Sequence, residues 1–166
     1  MATTKKQPAR KAAPRKTAAA PDAITLLRAD HAAVSKMFTT FDKMKADGPK
    51  KAALVKQICN ELKVHTSIEE EIFYPAARQV LKDEDLMDEA DVEHDGAKGL
   101  ISELEAMKPG DDHYDAKVTV LGEYIKHHVK EEHTEMFPKI KKTRLDLKAL
   151  GAQLQQRKSE LKAALA

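Results

Sequence analysis

The sequence has no tryptophan, one cysteine, six glycines in 166 residues, and aromatics at only 4%. Each shortage excludes something. A lone thiol, Cys59, can form neither an internal disulfide nor a multi-cysteine zinc site. The scarcity of aromatic, β-branched and turn residues argues against a β-sandwich or barrel. No run approaches the roughly 18 consecutive apolar residues that span a bilayer, and no signal-peptide-like apolar run follows the basic N-terminus. These absences point to a soluble, cytoplasmic protein with no membrane partner. Gly-rich phosphate loops, GxSxG elbows and paired-cysteine motifs are also missing, which excludes the usual kinase and hydrolase signatures.

What is abundant is Ala, Leu, Lys and Glu, with 34% charged residues, a composition that favours helix. The length suits a single domain with tails. The net charge of +2 conceals two regions of opposite sign. Residues 1–21 hold six basic residues and no acid, too little apolar surface for a fold, so they read as a disordered basic tail. Residues 22–166 keep 23 basic against 27 acidic residues, a formal charge of −4. A solubilising role is the simpler reading of the tail; nucleic acid contact through it is the weaker one.

Apolar residues step by three and four through the rest of the chain. Ile24, Leu27, Val34, Phe38 and Phe41 mark a first helix, ending near Lys45 before Gly48 and Pro49. Leu54, Ile58, Leu62 and Ile72 mark a second, which Pro75 should end or kink. A third runs from about Glu84 to Met107, and a fourth from about Asp112 to Pro138. Leu145, Leu150, Leu154 and Leu161 make residues 141–166 a further amphipathic helix. The expectation is an all-α four-helix bundle over 22–140 with a C-terminal helical extension.

The chain also repeats itself at an offset of 63. That shift lays Asp30-His31 on Glu93-His94, His65 on His128, Glu69 on Glu132, and Tyr74-Pro75 on Phe137-Pro138. The repeat marks two helical hairpins, each unable to bury its apolar face alone. Each hairpin offers a lone histidine and a His-x3-Glu pair, whose two members share one helix face. Two carboxylates driven into a core require a counter-charge. Four imidazoles and two carboxylates suit iron or manganese better than magnesium, calcium or closed zinc sites, and two carboxylates able to bridge favour two ions.

The segments LLRADHAAVSKMF, LKVHTSIEEEIFYP, ADVEHDGAKG and IKHHVKEEHTEMFP resemble the hemerythrin-like, HHE cation-binding family. The resemblance covers roughly residues 22–140 and implies an up-down-up-down bundle. It also implies two iron ions, His31 and His65 on one, His94 and His128 on the other, with Glu69 and Glu132 bridging beside an oxo or hydroxo group. Oxygen carriers of the family place another histidine one turn after the third-helix histidine, where this chain has Lys98; the matching place after His31 is Ser35. Members that bind or sense iron, oxygen or nitric oxide are the nearer likeness. A redox-defence enzyme acting on peroxide or nitric oxide, or an iron-sulfur repair protein, is the alternative.

Other residues read more plainly. Lys98, His113, Glu70 and His133 are expected at the surface, with His133 also open to an outer contact with the site. His127 and Glu131 form a rival pair on helix four, disfavoured by the repeat. Asp30 and Glu93 either orient imidazoles or stand exposed. Tyr124 is expected to fill buried space or to bond near the site, and Cys59 to be buried.

Overall fold

The structure, a computed structural model, describes residues 19–166, and among these there are helices and turns but no strand. The predicted disordered tail thus lies, but for its last three residues, outside the described residues. α1 (Ala23–Lys43) begins where the Asp22 carboxylate accepts the Thr25 backbone N–H at 2.9 Å, an N-cap. α2 (Pro49–Ile68) begins with proline in its first turn, behind Gly48, whose φ of 141° disfavours any side chain.

The helices run on through Pro75, expected to end or kink the second helix, and through Pro138, expected to end the fourth. In π1 (Glu69–Phe73) the Tyr74 N–H reaches back five residues to the Glu69 carbonyl. The proline ring would otherwise strike the carbonyl four residues back; the wider turn moves that carbonyl aside, and α3 (Tyr74–Val80) continues. α4 (Glu84–Glu105) is capped by Asp83 and carries Glu84 and Asp85 in its first turn, where the helix dipole favours acids. α5 (Tyr114–Glu131) follows His113, an exposed residue in the left-handed region with φ 67°. π2 (Glu132–Met136) then repeats the bulge, with Phe137 N–H on the Glu132 carbonyl, and leads into α6 (Phe137–Lys141).

α1 lies beside α2 and α5, and α4 beside the same two, closing an up-down-up-down bundle. Its core is divided in two. One cluster gathers Leu27, Ile68, Phe73, Met87, Met136 and Phe137; the other gathers Val34, Phe41, Ile58, Leu62, Ile101 and Leu121. Burying each such side chain contributes about 1.5–3 kcal/mol. Along α1, α2 and α4, and along α5 with the π2 and α6 that continue it, a polar position separates the two clusters, so a single ionisable layer crosses the middle.

α7 (Leu147–Leu165) is capped by Asp146 and folds back on its own bundle, against α1, α2 and π1. Leu150 and Leu154 join the first cluster. Gly151 permits the approach: a Cβ there would lie 2.1 Å from the Pro21 carbonyl oxygen. No helix among the described residues is long and apolar enough to cross a membrane.

Candidate metal centre

His31 of α1, His65 of α2, His94 of α4 and His128 of α5 enter the polar layer together with Glu69 and Glu132, the first residues of π1 and π2. All six are buried. Each glutamate follows its histidine by four residues, so both emerge on one face, one turn apart.

The glutamates stand between two histidine pairs. The Nε2 atoms of His31 and His65 are 2.9 Å apart, and those of His94 and His128 are 3.1 Å apart. Glu69 places Oε1 3.1 Å from His65 Nε2 and Oε2 3.2 Å from His94 Nε2. Glu132 places Oε2 3.2 Å from His31 Nε2 and Oε1 3.5 Å from His128 Nε2. Each carboxylate therefore spans both pairs. Among the described residues, two groups of donor atoms within the layer are close enough to hold a cation: His31, His65, Glu69 and Glu132, and Glu69, His94 and His128.

Outside the layer, a residue on a neighbouring element holds each imidazole by its other nitrogen. His65 Nδ1 lies 3.3 Å from Asp30, His128 Nδ1 2.6 Å from Glu93, His94 Nδ1 3.0 Å from Glu70, and His31 Nδ1 2.9 Å from His133 Nε2. When each Nδ1–H donates outward, four Nε2 lone pairs face two carboxylates with no proton between them. Among the described residues, Glu69 Oε1 and Glu132 Oε2 are buried without a hydrogen-bond partner. An unsatisfied buried acceptor costs about 1–3 kcal/mol, more when charged, and a cation removes that cost. The mixed nitrogen and oxygen donor set fits a first-row transition metal.

Among the side chains alone, protons answer the same electrostatic demand. Burial opposes charge on His65, yet the Glu69 and Asp30 carboxylates outweigh it and raise its pKa to about 10. Burial likewise opposes charge on His128, where Glu132 and Glu93 prevail and raise it to about 9. Burial works against ionised Glu69 too, but His65 and His94 hold it well below the usual carboxylate range.

Tyr74 is the residue that spacing missed. Its hydroxyl sits inside the second group, 2.9 Å from Glu132 Oε1, 3.1 Å from His128 Nε2, 3.2 Å from His94 Nε2 and 3.3 Å from Glu69 Oε2. The one signal was its place in the repeat, where it matched a phenylalanine. Glu70 and His133 are not free surface groups but the outer contacts of His94 and His31, half-buried because each follows a buried glutamate round the helix. Asp30 and Glu93 orient imidazoles. Tyr124 is 49% exposed, lies beside Gly96, and takes no part in the layer. Lys98 reaches outward to Glu70 and Asp95, and His127 lies exposed between Glu93 and Glu131. Cys59 is buried, and burial pushes its thiol up to about 11.

Residues 22–140 match the Hemerythrin HHE cation binding domain. The chain belongs to this hemerythrin family. A DNA nickase of Nostoc sp. (strain PCC 7120) is 28% identical over 116 residues, which is 70% of this chain and 32% of that protein. The chain thus spans about a third of that relative's length. The crystal structure of a hemerythrin HHE cation binding domain-containing protein from Mycobacterium kansasii superposes with a TM-score of 0.74 at 21% identity, covering 87% of this chain and 89% of that one. That likeness shows a shared fold. In this hemerythrin domain, α7 lies beyond the matched residues.

Proposed function

We propose that this hemerythrin domain is a non-heme di-iron protein that binds or senses a small ligand, oxygen or nitric oxide, or iron itself. His31 and His65 would hold one iron and His94 and His128 the other, with Glu69 and Glu132 each offering a carboxylate to both. The Tyr74 hydroxyl, beside His94 and His128, would offer the second iron an oxygen. The observation that supports this reading is the division of each buried carboxylate between both histidine pairs, with one oxygen of each left unpartnered.

When bound, the irons supply redox and ligand-binding chemistry. The chain's own part is to hold neutral imidazoles in one tautomer through Asp30, Glu70, Glu93 and His133, and to exclude water with the two apolar clusters. Elemental analysis of protein purified from iron-supplemented culture tests the reading: two irons per chain and the absorption of a bridged ferric pair are expected, and one iron or none overturns it. Steady multiple turnovers of peroxide or nitric oxide by the loaded protein would replace ligand binding with the redox-defence alternative.

A further inference from the structure

The four outer contacts of the imidazoles differ in what stands behind them. Asp30 receives His65 Nδ1 on Oδ2 at 3.3 Å, and its other oxygen, Oδ1, is taken by the Lys158 ammonium of α7. The side chains of Asp30 and Lys158 are 11% and 17% exposed, so solvent screens this pair far less than an ordinary surface pair. A carboxylate with both oxygens engaged cannot rotate away from the imidazole it faces. Among the described residues Glu93, its equivalent in the repeat, has no such anchor; beyond His128 it meets His127, which is 64% exposed. Lys98 backs Glu70 behind His94, but from within the bundle. Lys158 alone among these contacts comes from outside the four helices.

We infer that Lys158 is a positioning residue for the metal held by His31 and His65, acting through Asp30 and His65, so that docking of α7 sets the affinity of that one position. The inference rests on the two-metal reading above. α7 is placed by independent features: Leu150 and Leu154 in the core, Gly151 against the backbone of Pro21–Ala23, Arg157 on Glu71 at 2.6 Å and Lys162 on Glu61 at 2.8 Å. Undocking the helix, or removing the lysine, frees Asp30 and loosens the ring of His65. Loss of a partner that orients a ligand weakens metal affinity by about tenfold or more.

Titration of the full metal-free chain with Co2+, read by its visible absorption, tests this. The wild type should take two Co2+, and Lys158→Met and Lys158→Gln should weaken one of them about tenfold while sparing the other. The weakened position should be the one lost in His31→Ala. Lys158→Arg should restore it, and Lys162→Met, which breaks a neighbouring α7 contact without touching Asp30, should bind as the wild type does. Wild-type binding in both neutral variants, equal weakening of both positions, or equal weakening in Lys162→Met would each overturn the inference. A wild-type chain that takes fewer than two Co2+ would instead overturn the two-metal reading, and the inference with it.

Discussion

Tyr74 and Phe137 occupy equivalent places, each just past a π-bulge, yet only Tyr74 carries a hydroxyl into the polar layer. The Phe137 ring lies parallel to that of His31, with centroids 6.1 Å apart and planes 7° from coplanar. A duplicated hairpin has thus produced two unlike half-sites, one offering a phenol and the other a hydrocarbon face.

Burial and the Glu132 and Glu69 carboxylates push the Tyr74 phenol well above its usual pKa, so a cation at this spot is what can remove its proton. Iron-loaded protein is expected to show a visible phenolate-to-ferric charge-transfer band, and Tyr74→Phe to lose that band while retaining two irons. An unaltered visible spectrum in Tyr74→Phe would remove the tyrosine from the centre.

Glu69 and Glu132 each serve both histidine pairs, whereas His31 serves one. Glu69→Ala or Glu132→Ala should therefore strip both irons and lower the melting temperature of protein purified with metal, while His31→Ala should halve the iron content. Two irons retained in the Glu69→Ala, Glu132→Ala double variant would show that the carboxylates do not bridge.

In metal-free protein, the folded pKa of His65 is raised to about 10 from an unfolded value near 6.5. A raised pKa means that the folded state binds the proton more tightly. The resulting stabilisation is complete below pH of about 6.5 and is lost as pH rises through about 10. Thermal unfolding of metal-free protein should shift to lower temperature across that window, with His128, raised to about 9, acting in the same direction. Metal uptake has the opposite dependence, because the cation displaces these protons; affinity for Co2+ should climb between pH 6 and 9, with protons released into weak buffer. Flat melting curves over this range would contradict the electrostatics of the layer.

Gly151→Ala exchanges a helix-interior glycine for a better helix former, worth about 1 kcal/mol in an open helix. Here the added Cβ meets backbone, the Pro21 carbonyl oxygen at 2.1 Å and the Ala23 nitrogen at 2.8 Å, neither of which can rotate away. Overpacking costs typically 1–3 kcal/mol or more, so a net loss is expected. Faster proteolysis within 142–166, measured by mass spectrometry alongside a lowered melting temperature, would register it; a stabilised variant would show that α7 does not lie as described.

The helical pattern, the duplication and the histidine and glutamate spacings were legible because each is a property of near neighbours in the chain. Apolar residues at Leu27, Val34, Ile58 and Leu121 recur at the period of one turn, and His65 and Glu69 must share a face whatever surrounds them. The two bulges were not legible, because Pro75 and Pro138 signal a break equally well whether the chain stops or the turn widens. Glu70 reads as solvated, as a residue following a buried one on a helix usually is, and for His133 the spacing leaves the surface and an outer contact with the site both open.

Neighbouring residues alone dictate that this chain is helical, that it is built of two like hairpins, and that four histidines and two glutamates fall on inward faces. Packing between the helices settles which nitrogen of each ring faces inward, which neighbour holds the other, that Tyr74 and not Phe137 brings an oxygen, and that α7 returns to place Lys158 on Asp30. The reason is one of range. Periodicity is set within a turn of helix, whereas a hydrogen bond between helices depends on rotations and axial shifts of an ångström or less, which are fixed only when every packed face is in place.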